Sequence, residues 1–138
     1  MKPLLFLVAD YANITGDGKL NVMGIFNDIF SYNFPARHSS MHLVGRLGAE
    51  LGEYNQIRDF TIKLLDEDAN QIMDMSGQFE IPKGEKGRKP EVNLIFELKD
   101  VVFPKPGIYQ FVLFIEKDYK CDLSLYVNPI EIPKPPRE

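Results

Sequence analysis

Four basic side chains, Lys83, Lys86, Arg88 and Lys89, share one short loop with a single carboxylate, Glu85, and two glycines, Gly84 and Gly87. Such a cluster can hold an anion, because cationic side chains supply charge and glycines let backbone amides approach a phosphate. The spacing is not that of a nucleotide-binding loop, since no Gly-Lys-Ser/Thr follows the glycines. Aromatic residues do not interleave with the basic ones, as a single-strand nucleic-acid surface prefers. A solvated loop is the simpler reading, and an anion contact at these four residues is its rival. The turn Asp66-Glu67-Asp68-Ala69-Asn70 gathers oxygen ligands of the kind hard cations accept. An EF-type loop would continue with Gly and Glu where Gln71 and Gly77 stand, so that motif fails. Calcium held between loops at one end, with Asp17 or Asp118, is the remaining metal version. A hairpin turn whose Asp and Asn bond local amides is the plainer one.

His38 and His42 are the two histidines and Cys121 the one cysteine. Residues four apart on one strand sit about 13 Å apart, too far to share a metal unless the chain turns between them. Cys121 follows a turn and reads as a small apolar residue at the start of a strand, with nothing local to activate it. Asp10 ends an apolar run, and bonding to Asn13 or nearby amides is expected of it rather than acid/base work. Tyr119 and Tyr126 are candidates for an exposed aromatic platform, although Tyr119 serves equally as a turn residue over the core. Pro133-Lys134-Pro135-Pro136-Arg137 can adopt polyproline II, though such tails are more often inert. No catalytic residue, cofactor site or metal site is assigned.

The elements that would position these groups are strands, because apolar residues recur with period two and no window carries a sustained helical stripe. Leu4 to Tyr11 is apolar on both parities, as in a strand covered on both sides or lying at a sheet centre. Leu20, Val22, Gly24 and Phe26 alternate with polar and mixed partners. The pattern loses regularity after Asn27-Asp28, where a bulge or bend is expected. Met41 to Leu51 alternates, with a short helix over Ala49–Tyr54 competing for its second half. The runs Phe60–Leu64 and Met73–Ile81 flank the 66–70 turn as a hairpin. Val92–Leu98, Tyr109–Ile115 and Leu123–Val127 complete the set. The turn Phe103-Pro104-Lys105-Pro106-Gly107 precedes Tyr109–Ile115, whose apolar second face, Val112 and Phe114, marks it as internal.

The chain has 138 residues, 44% hydrophobic and 26% charged, with a net charge of −4. That length buries a core without disulfides, and the acidic balance draws neither nucleic acid nor an anionic membrane. One cysteine permits no internal disulfide and is compatible with a reducing compartment, so the cytoplasm is expected. The apolar start superficially resembles a signal peptide, but it is short and stops at Asp10, so it reads as the first strand. About eight closely spaced strands predict an all-β, antiparallel two-sheet sandwich over residues 1–128. A proline-rich C-terminal tail, 129–138, follows.

Ala9-Asp10-Tyr11-Ala12 with Asp17-Gly18-Lys19-Leu20-Asn21-Val22-Met23-Gly24-Ile25-Phe26 resembles the start of a small, uncharacterised bacterial family of unknown function. Phe103-Pro104-Lys105-Pro106-Gly107-Ile108-Tyr109-Gln110-Phe111 fits the same family. This second stretch is also similar to an immunoglobulin-like pattern in which Pro-Gly-x-Tyr opens a late core strand. The immunoglobulin cysteine pair and core tryptophan are absent, and neither resemblance implies a substrate. The expected function is a non-enzymatic binding or assembly module acting through loops or edge strands, with another protein or a second copy as partner. An anion- or metal-binding sandwich is the alternative, and an enzyme without a recognisable motif the second alternative.

Overall fold

The computed structural model describes residues 1–85 and 87–131. Their strands are β1 (Lys2–Ile14), β2 (Leu20–Phe26), β3 (Asp28–Ser31), β4 (Ala36–Gly48), β5 (Ile57–Leu65), β6 (Gln71–Glu80), β7 (Glu91–Phe103), β8 (Gly107–Ile115) and β9 (Asp118–Pro129). They form two sheets, ordered β2-β1-β4-β7 and β3-β9-β8-β5-β6. The sheets pack face to face, so the protein is all-β with a sandwich arrangement. All neighbouring strands are antiparallel except β3 and β9, which run parallel. The irregularity at Asn27-Asp28 is more than a bend. The chain leaves the four-stranded sheet after Phe26, and Asp28 begins pairing with Tyr126 in the other sheet. That crossing divides one anticipated strand in two and raises the count from about eight to nine.

Period two decides which side chains meet between the sheets. Met41, Leu43 and Leu47 of β4 and Val92, Leu94 and Leu98 of β7 face Phe60, Ile62 and Leu64 of β5 and Tyr109, Phe111 and Leu113 of β8. The rings of Phe60 and Phe96, one from each sheet, lie 5.3 Å apart. Beyond Leu98 the inward set shifts by one residue, to Val101 and Phe103, with Asp100 between at φ 55°. The partner strand shifts with it: Ala36 and His38 pair with Phe103 and Val101, while Met41 pairs with Leu98. A positive φ at a non-glycine residue re-aims the strand, and Phe103 ends fully buried rather than in a turn.

The step from β7 to β8 carries the chain between sheets. Phe103 and Tyr109 meet edge to face at 5.0 Å, and the Tyr109 hydroxyl donates to the Lys105 carbonyl at 2.6 Å. Gly107, at φ 152°, leaves room for the Glu67 carboxylate, which accepts the Ile108 amide at 2.6 Å. Gly77 is needed for space: a Cβ there would come 2.8 Å from Phe60 Cζ. β8 is internal, between β9 and β5. β4 begins at Ala36, earlier than the alternation indicated, and stops at Gly48. A 3₁₀ turn, Leu51–Glu53, takes the place of the strand's second half.

Truncating Phe103 to Ala is expected to cost about 3–5 kcal/mol, as for a large aromatic in a packed core. Tyr109→Phe, which loses only the hydroxyl, should cost about 1 kcal/mol. Urea unfolding midpoints of both variants check the ranking.

Candidate functional site

The basic loop is less cationic in space than in sequence. Lys89 is paired with Glu50 at 3.0 Å, and the neighbouring Glu91 is engaged by Arg46. Lys83 and Arg88 are exposed and make no ion pair among the described residues; Lys86 lies outside those residues. The loop closes on itself through the Arg88 amide and the Glu85 carbonyl at 2.9 Å, around Gly87. It encloses an open pocket of about 390 Å³ in which Glu85 and Glu91 stand among the cations.

In the 66–70 turn the carboxylates already have partners. Asp66 Oδ1 accepts the amides of Asp68 and Asn70 at 2.9 and 2.8 Å, and Oδ2 accepts the Asn70 side chain at 3.2 Å. Desolvation pushes the Asp66 pKa up, but the Asn70 and Asp68 hydrogen bonds and the Lys105 charge together hold it below the ordinary carboxylate value. Glu67 reaches away to β8, and Asp68 pairs with Lys105 at 3.5 Å. Asp118 opens β9 at the other end of the sheet, since Ile115 pairs with Phe60 while Gln110 pairs with Leu65 beside this turn. Asp17 is held in its own turn by Thr15 Oγ1 at 2.5 Å and by Lys19 at 3.2 Å. These acids are spread over separate turns rather than gathered.

The two histidines share β4, yet the parity shift between them sends their rings to opposite faces. His38 lies against Phe26, 5.6 Å away, on the core side; His42 lies under Tyr11, 5.1 Å away, on the outer side. Cys121 is the fourth residue of β9, half-buried against the core of the other sheet. Burial, and then the Asp122 charge, push its thiol up to about 11. Tyr119 does not cover the core: it is exposed on the outer face of the five-stranded sheet, edge to face with Phe114, and donates to Asp122 at 2.5 Å. Tyr126 is exposed on the same face but at the far end of β9, about 20 Å along the strand, so the two do not form one platform. Asp10 is exposed over Gly24, and its backbone carbonyl, rather than its carboxylate, meets His42 Nδ1 at 3.3 Å. Residues 132–138, with the Pro133–Arg137 motif, lie outside the described residues.

The feature that the loop-by-loop reading missed is the outer face of the four-stranded sheet. Pairing aligns Ile25, Ala9, His42 and Glu97 in one row, and Leu7, Val44 and Ile95 in the next. Met23 and Tyr11 flank the first row, while Leu5 and Arg46 flank the second. Ala9 and Val44 are fully buried, yet both stand outside the inter-sheet core, covered by neighbours on this face. Tyr11, Met23 and Ile25 are 48%, 59% and 61% exposed, and no other element is stacked on them among the described residues. The five-stranded sheet differs. Towards β6 its outer face presents Thr61, Lys63, Asp74, Ser76, Gln110 and Ser124, and the outward Phe114 is capped by Lys63; exposed apolar residues, Ile108, Tyr126 and Phe30, are confined to its β3 end. Antiparallel sheets with one solvated face normally read apolar-in, polar-out, and the four-stranded sheet departs from that rule. The signal in the sequence was the both-parity run from Leu4 to Tyr11.

Fold and face together define a two-sheet all-β protein whose four-stranded sheet carries an apolar patch at the centre of its outer face. The chain belongs to a family of unknown function (DUF6941), whose model matches residues 4–128. That span takes in both stretches that carried the resemblance. No curated protein matches the chain. No helix among the described residues is long and apolar enough to cross a membrane.

Two outcomes follow from the titratable groups. A carboxyl whose folded pKa is depressed contributes stability above its unfolded pKa and loses it as pH falls through the folded value. Asp66→Asn should therefore melt below the parent at neutral pH, and the gap should narrow as the pH falls below the ordinary carboxylate range towards the folded value. Melting curves of both proteins over a descending pH series check this. A thiol raised from 9.0 to about 11 holds about a hundredfold less thiolate at neutral pH. An aromatic disulfide reagent should thus label native Cys121 at least about tenfold more slowly than Cys121 in the urea-unfolded chain.

Proposed function

We propose that the protein is a non-enzymatic binding or assembly module whose contact surface is the outer face of the four-stranded sheet. The observation that carries this reading is the apolar second face of β1, continued by Met23 and Ile25 on β2 and by Val44 and Ile95 across the sheet. Contiguous exposed apolar surface of this kind marks interaction sites, because leaving it in water forgoes stabilisation that a partner can supply. The non-enzymatic part is supported by the separation of the reactive side chains. His38 and His42 face opposite ways, and Cys121 lies in the other sheet with its thiolate disfavoured.

Kinship with immunoglobulin-like sandwiches belongs to the same proposal. It is supported by the Tyr109 hydroxyl bonding back to the Lys105 backbone at the start of β8, much as a corner tyrosine does in such domains. A reducing, cytoplasmic setting is supported by the single, half-buried thiol.

The test is retention from an extract of the native host on the immobilised full chain. The parent is compared with Met23→Lys/Ile25→Glu and with Lys83→Ala/Arg88→Ala. Proteins held by the parent should be lost with the face variant and kept with the loop variant. The reverse pattern would overturn the reading in favour of the basic loop.

A further inference from the structure

We infer that the occupant of this face is a second copy of the chain, packed sheet against sheet about a two-fold axis. The inference rests on the reading of the face as a contact surface and adds the partner's identity. Charge is the first argument. The chain carries −4 overall, so two copies repel wherever their acidic surfaces meet. On this face the ions cancel in place: Arg46 engages Glu91, and Lys99 lies 3.6 Å from Glu97. Only Lys2, at one rim, adds an uncompensated charge among the described residues of the face. A two-fold contact brings each surface against itself, and a patch of near-zero charge is what such a contact requires. A nucleic acid or an anionic lipid surface would instead select a cationic patch.

Area is the second argument. Four strands spaced by about 4.8 Å, over about ten residues of about 3.3 Å each, span roughly 600 Å² per copy before side-chain relief is counted. Standard stable interfaces bury about 800 Å² per partner, so the face alone is close to sufficient. Relief comes from side chains that rise above a closed floor: Ala9 and His42 are buried, while Ile25 and Met23 protrude beside them. Protruding apolar anchors of this kind carry the binding energy when the opposite copy packs round them.

Sedimentation equilibrium of the full chain, from about 1 to 500 µM, tests the inference. The parent should show a dimer mass with a dissociation constant in the micromolar range. Met23→Lys/Ile25→Glu should weaken association by about 30-fold or more, the loss expected when two anchors become charges. Both residues are exposed in the single chain, so at concentrations well below the parent's dissociation constant, where both proteins are monomeric, the variant should keep the parent's melting temperature; Tyr11→Glu provides a second probe if it does not. Because the charges of the face cancel, raising salt from about 50 to 500 mM should leave the constant within about threefold. A chain that stays monomeric throughout, or a dimer that both face variants leave intact, overturns the inference. If the monomer still retains extract proteins through Met23 and Ile25, the second copy alone is excluded. If that retention fails as well, the contact-surface reading falls with it.

Discussion

Neither sheet can stand alone. Each is a mainly antiparallel array with an apolar face that must be removed from water, and among the described residues the surface that covers it is the corresponding face of the other sheet. Burial between them supplies the main cohesive term, so everything that moves the chain from one sheet to the other is under constraint. Three devices meet that constraint. The crossing at Asn27 delivers β3 to the edge of the second sheet, where it pairs parallel with β9. The kink at Asp100 turns Phe103 inward at the end of β7. The Phe103–Tyr109 contact, with the Tyr109 hydroxyl tied to Lys105, then fixes how β8 leaves the turn. Glu67 joins this arrangement from the neighbouring hairpin by capping the Ile108 amide. The acid-rich turn thus has a structural task that its composition does not reveal.

How much of this was legible depended on which physical regularity carried the information. Core positions on β5, β8 and β9 followed from strict alternation, because period two assigns a side chain to a face without knowledge of its neighbours. Alternation does not say to which sheet a strand belongs. Leu20–Phe26 and Asp28–Ser31 therefore looked like one irregular strand, although they pair in different sheets. Phe103 looks like part of a turn because Pro104 and Pro106 follow it; its burial depends on a positive φ at Asp100, and aspartate is only modestly favoured there. The two histidines show the same limit. Their spacing set a distance along the strand, while a parity shift between them set their faces.

The candidate loops were visible in sequence as clusters of like residues, and space redistributed them. Lys89 found Glu50, which lies 39 residues earlier in the chain, and Asp66 found amides within its own turn. Charged residues at turns acquire such partners because the strands they connect bring remote segments together, and exposed pairs of this sort add little stability. A cluster in sequence is therefore weak evidence for a site unless its members remain unpaired after folding. The apolar face has the opposite character. Its residues come from four strands and form no motif, and only β1 announced it, through apolar residues on both parities.

That both-parity run admits two explanations, and the fold discriminates between them. A central strand in a sheet buried on both sides reads this way, and so does a strand whose second face is reserved for something outside the chain. β1 is internal within its sheet, which accounts for pairing on both edges but not for apolar residues on the outer side. Lateral position in a sheet protects backbone groups, whereas facing is settled by what is stacked above. On the five-stranded sheet the one comparably apolar strand, β8, has its outward Val112 and Phe114 shielded by Lys63 and Tyr119 from neighbouring strands, and only Ile108, at its start, is left exposed. Among the described residues the four-stranded sheet has no such cover over Tyr11, Met23 and Ile25. Its charged residues are drawn instead to the β7 side, where they neutralise one another. A surface kept apolar at its centre and neutral at its margin is thus built into the pairing register itself, since shifting β1 by one residue would exchange this face with the core.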